Sequence, residues 1–87
     1  MKTHIAIFLC DDGQAKGCRK MVLPNSTPKR AMKAIIRSEL LRTIGDEDPS
    51  EIDYCLNNTI EGSFKKVGDG IYTCADEEGT YVVTALR

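Results

Sequence analysis

The sequence predicts an α+β fold: an antiparallel sheet of about five strands in ββααβββ order, with one long and one short helix packed on one face. Three observations carry this expectation. Segments rich in β-formers and bounded by turn residues cluster at both ends of the chain. Two helix-start signals follow one another in the middle. No regular strand-helix-strand alternation occurs, which sets the chain apart from parallel α/β architectures.

The first strand is read over Thr3 to Cys10, Thr-His-Ile-Ala-Ile-Phe-Leu-Cys, with apolar residues on both parities. That pattern suits an interior strand covered on both faces. Asp11-Asp12-Gly13 and Gly17 supply turn chemistry, and Cys18 to Leu23 make a second strand whose end is marked by Pro24. Thr27 followed by Pro28 reads as an N-cap and a first helical residue. The long helix then runs to about Ile44, with Gly45 as its C-terminal cap. Asp48-Pro49-Ser50-Glu51 has capping-box spacing, and Ile52, Cys55 and Leu56 share a face of a short second helix ending near Asn57-Asn58. The last third reads as a meander over Gly62 to Val67, Ile71 to Ala75 and Thr80 to Leu86, with turns at Gly68-Asp69-Gly70 and Asp76 to Gly79. One long and one short helix cover a five-stranded sheet incompletely, so part of the other face is either solvated or available to a partner, although the mixed parity of the first strand favours coverage.

The 87 residues are expected to form one domain, 1–87, with 41% hydrophobic and 29% charged residues. Charge is sorted along the chain: residues 1–45 hold nine Lys/Arg against three Asp/Glu, and residues 46–87 hold three against ten. The total of −1 therefore conceals a bipolar chain. The N-terminal run lacks the features of a secretory signal and is too short to span a bilayer, so a cytoplasmic location is the default and no membrane partner is expected.

Chemistry-bearing motifs are scarce. The four cysteines, Cys10, Cys18, Cys55 and Cys74, show no C-x-x-C spacing. Cys10 and Cys18 flank a turn and could face each other, but buried free thiols are the preferred reading. His4 and Cys10 lie six residues apart on one strand, about 20 Å, far beyond hydrogen-bond reach. A lone His near the terminus reads as a surface or strand-edge residue. Asp46, Asp48 and Ser50 mimic the first EF-hand ligands, yet Glu51 stands where that loop needs Gly and Pro49 starts a helix. No glycine-rich phosphate cradle has the required spacing. The sequence thus points to no catalytic residue, no metal and no cofactor.

The long helix is the most informative surface. At about 100° per residue, Lys29, Arg30, Lys33 and Arg37 share one arc, whereas Ala31, Met32, Ala34, Ile35 and Leu41 lie mostly opposite as the core seam. Leu40 and Ile44 interrupt the basic ridge, which either makes it a contact surface or marks where the short helix packs. Arg19 and Lys20 would extend that surface. An acidic alternative comprises Asp46, Asp48, Asp76, Glu77 and Glu78.

In general layout the chain resembles small accessory proteins of bacteria and their phages, including anti-CRISPR proteins, a resemblance of architecture that transfers no site. The expectation is a small non-enzymatic regulatory protein that binds a larger protein or nucleoprotein complex, in the manner of a phage or mobile-element inhibitor. The alternatives are an RNA- or DNA-binding regulator using the basic helix and first hairpin, a thiol-based sensor, and a homodimer joined through opposite poles.

Overall fold

A computed structural model describes residues 2–10, 19–43, 49–76 and 79–86. Five strands and two helices follow in the expected order: β1 (Lys2–Cys10), β2 (Arg19–Ser26), α1 (Pro28–Thr43), α2 (Pro49–Ser63), β3 (Lys65–Gly68), β4 (Ile71–Ala75) and β5 (Gly79–Ala85). The strands form one antiparallel sheet, ordered β2-β1-β5-β4-β3, and the helices pack on it.

β1 is paired on both sides, with β2 and with β5, which places the N-terminal strand inside the sheet. Its even-numbered residues His4, Ala6 and Phe8 are buried, as are Tyr81 and Val83 across the ladder on β5. These meet Ala31, Met32, Ile35 and Ile36 of α1 and Ile52, Leu56 and Ile60 of α2 in a single core. Full burial of each such aliphatic or aromatic side chain stabilises the fold by roughly 1.5–3 kcal/mol. Phe8 and Tyr81 face each other with ring centroids 4.9 Å apart, and Phe64 stacks on Tyr72 at 5.5 Å.

Three boundaries differ from the sequence reading. Pro24 does not end β2, which continues to Ser26. β2 is an edge strand, where the missing N–H of proline breaks no interior ladder. The register slips between Lys2 and His4, so the segment from Leu23 to Ser26 is a bulge, with Asn25 at φ 51°. The second helix does not stop at Asn57-Asn58. Both residues lie on its exposed side, while the buried stripe Ile52, Leu56, Ile60 carries the helix on to Ser63. β3 consequently begins at Lys65 rather than Gly62. At the β3–β4 turn Gly70 adopts φ 72°, a value glycine reaches without a Cβ clash.

Thr27 caps α1 as expected, its hydroxyl oxygen accepting the Arg30 N–H at 3.2 Å. Cys74 anchors α2 to β4: its thiol donates to the Thr59 carbonyl at 3.2 Å and lies 3.1 Å from the Ser63 hydroxyl, which in turn accepts the Ala75 N–H. Burial pushes the Cys74 thiol pKa up, with the Ser63 contact opposing. No described helix is long and apolar enough to cross a membrane.

Candidate interaction surfaces

The fold engages part of the basic ridge and leaves the rest at the surface. Arg37 donates to Asp53 of α2 at 2.6 Å. Leu40, expected at the surface, is nine-tenths buried in the core with Ile36, because α2 packs along this flank of α1. Leu41, expected in the core seam, is instead exposed. Lys33 is half-buried, and Lys29 and Arg30 remain exposed on the first turn.

Arg19 and Lys20 do not extend one patch. Adjacent strand residues point to opposite faces. Arg19, opposite Phe8, reaches the helix side and bridges to Glu39 at 2.9 Å, while Lys20, opposite Ile7, lies on the other face. Glu39 is 2% exposed and also meets Arg42 at 3.2 Å, so one buried carboxylate draws two guanidinium groups.

Of the acidic set, Asp76 serves the fold. It accepts the Tyr81 hydroxyl at 2.8 Å and the Gly79 N–H at 3.2 Å. Asp46, Asp48, Glu77 and Glu78 lie outside the described residues, as do Cys18 and any Cys10–Cys18 pairing. Among the described residues no group of three or more His, Cys, Asp or Glu is placed to hold a metal ion.

The parity of β1 leads to the second face of the sheet, for which the sequence offered both an open face and, from the mixed parity of β1, a covered one. Both helices pack on the Ala6/Phe8 side, and no described element covers the odd-numbered side of β1, which is called the open face. Cross-strand register arranges that face in rows: Val22, Ile5, Thr84, Ile71, and then Lys20, Ile7, Val82, Thr73, Lys65. Leu9 is 44% exposed and Val22 57%. The face is apolar at its centre and bordered by Lys20 and Lys65 on the two edge strands. All five aromatic residues lie elsewhere: Phe8, Phe64, Tyr72 and Tyr81 on the helix side and Tyr54 exposed on α2.

A second feature, at the α1 end of the sheet, went unread in the sequence. His4 is only 3% exposed and is not a surface residue. It shares the parity of Ala6 and Phe8, which was the available signal. Its Nδ1 lies 2.9 Å from the Ser26 hydroxyl oxygen, and that hydroxyl donates to the Leu23 carbonyl at 2.7 Å. Ser26 has one proton, so in this network it accepts from Nδ1–H. The pair is therefore not aligned as a nucleophile and its base, since the histidine donates to the serine. His4 and Ser26 line an open cleft of about 330 Å³.

No family model, curated protein or solved structure matches this chain. The functional reading accordingly rests on these surfaces.

Proposed function

We propose that this protein is a small, non-enzymatic regulatory module that binds and modulates a larger protein, alone or within a nucleoprotein complex, through the open face of its sheet. The observation that carries this reading is the row of apolar side chains that no described element covers, with Leu9 and Val22 about half-exposed. Five strands about 4.8 Å apart, each giving about five residues at 3.3 Å, span roughly 400 Å². The apolar centre is a part of that area, and the largest apolar patch on a small protein, rimmed by polar residues, is often its functional surface. Lys20 and Lys65 at its borders favour a partner with acidic residues around an apolar centre.

The nucleic-acid reading has less support. Stacking platforms for single strands use exposed aromatic rings, and the open face presents none among the described residues. Arg19, Arg37 and Arg42 are each paired with a carboxylate, which lowers the charge available to phosphates. The narrower reading as a phage or mobile-element inhibitor rests on layout alone.

The test is affinity capture from lysate, quantified for wild type, for Val22→Lys/Ile71→Lys on the sheet and for Lys29→Glu/Arg30→Glu on the helix. Loss of the same captured protein by the sheet variant alone supports the reading. Loss by the helix variant alone, or capture that neither variant changes, overturns the assignment of this face.

A further inference from the structure

The cleft at the α1 end of the sheet is built around an unusual group, a nearly buried histidine with one nitrogen engaged and one free. Nδ1 is held by Ser26. Nε2 has no hydrogen-bond partner among the described residues and is not one of their sealed unsatisfied atoms, and His4 lines the cleft. With the proton assigned to Nδ1, the neutral ring presents a lone pair there.

The surroundings favour an anion. Lys2 and Lys66 line the cleft, against one carboxylate, Asp69, which already takes part in an interaction of its own. Two positive charges less one negative leave the cleft at +1. Residues Thr27 and Pro28 also line it, so the positive end of the 16-residue helix α1 faces the same space. Its first turn adds chiefly this field, because the Arg30 and Ala31 N–H groups are already bound to Thr27.

We propose that this cleft binds hydrogen phosphate. The ligand must bring negative charge for the two lysines and, at the same time, a proton for Nε2. Hydrogen phosphate has both at neutral pH, as anionic oxygens and a P–OH group. Sulfate carries the charge without the proton, and a primary amine or alcohol carries a proton without the charge. Ser26 is a positioning residue: it fixes which nitrogen is protonated and holds the ring plane towards the cleft. This site is separate from the open sheet face and stands or falls independently of it.

The experiment is a titration of the ¹⁵N-labelled full chain at pH 7 with sodium phosphate, sodium sulfate and O-phosphoserine, at constant ionic strength, following the His4 ring nitrogens. Phosphate is expected to move Nε2 saturably, with sulfate about tenfold weaker or more, the ratio expected for losing one charge-assisted hydrogen bond. Phosphoserine, whose second pKa of about 6 leaves it mostly the dianion without a P–OH at pH 7, is expected to bind more weakly than phosphate, and equal or tighter binding overturns the requirement for a proton. His4→Gln risks the fold through its burial, so Lys2→Ala/Lys66→Ala is the decisive variant. Both lysines are exposed. Its backbone spectrum should be unchanged and its phosphate affinity about tenfold or more lower. A static Nε2 signal under phosphate, equal response to sulfate, or phosphate affinity unchanged in the lysine variant overturns the proposal.

Discussion

The Arg37 guanidinium meets the Asp53 carboxylate at 2.6 Å, across the seam between α1 and α2. This contact engages one of the four basic side chains of the α1 ridge, while Lys29 and Arg30 stay exposed. The Arg37 and Asp53 side chains are each about half exposed. Water screens such pairs, so Asp53→Ala is expected to cost less than about 1 kcal/mol in urea denaturation, and less at high salt. A larger loss would mean that the pair, rather than the Ile36–Leu40–Ile52 packing, holds the helices together.

Glu39 behaves differently because it is buried. Removing both Arg19 and Arg42 withdraws two counter-charges from a carboxylate that water barely reaches. The double variant Arg19→Ala/Arg42→Ala should lose about 3 kcal/mol, whereas adding Glu39→Leu to it should recover much of that loss. Chemical denaturation of the three proteins measures both steps. No recovery in the triple variant would show that the carboxylate is not the source of the cost.

Tyr81 makes alkaline stability testable. Burial raises its pKa well above the ordinary 10.0, and the Asp76 carboxylate that accepts its hydroxyl, together with the charge of Glu39, adds to the shift. Above pH 10 the unfolded chain gives up the phenolic proton while the folded chain keeps it. This group's stabilising contribution is thus whole below pH 10 and drains away as pH rises further. Tyr81→Phe should lower stability at pH 7 by about 1–3 kcal/mol and flatten the alkaline decline. An alkaline limb identical to wild type would remove Tyr81 as its cause.

Cys74 shifts in the same direction. Its raised pKa and its burial predict slow labelling by thiol reagents in the native protein, with half-buried Cys55 reacting before it. Mass spectrometry of partially labelled protein assigns the order, and early modification of Cys74 would contradict the packing of α2 on β4.

Thr27→Ala should cost about 1 kcal/mol, the usual value for losing an N-cap. The loss should fall on α1, seen as faster amide exchange at Arg30, whose N–H the Thr27 hydroxyl accepts. Uniform exchange across the helix would assign the cost to global stability instead.

Much of the architecture was legible because it depends on short-range signals. Thr27-Pro28 and Pro49 mark helix starts through local backbone chemistry, and Gly70 marks a turn through its freedom at positive φ. The boundaries that moved were those where a longer-range partner decides. Pro24 reads as a strand end unless the strand lies at the sheet edge. Asn57-Asn58 reads as a helix end unless the apolar stripe is followed on to Ile60.

The sequence by itself determined the α+β class and the order of seven elements, since periodicity, capping and turn residues act within a few positions of themselves. It could not determine which side of the sheet the helices would take, because Ile5 and Ile7 are as apolar as Ala6 and Phe8. Only the tertiary structure decided that. By stacking α1 and α2 on one side, it buried Leu40 and drew Arg19 and Arg42 to Glu39, and it also set His4 against Ser26, 22 positions away along the chain. Each of those outcomes depends on non-local burial, which removes water from one apolar row and leaves its neighbour exposed.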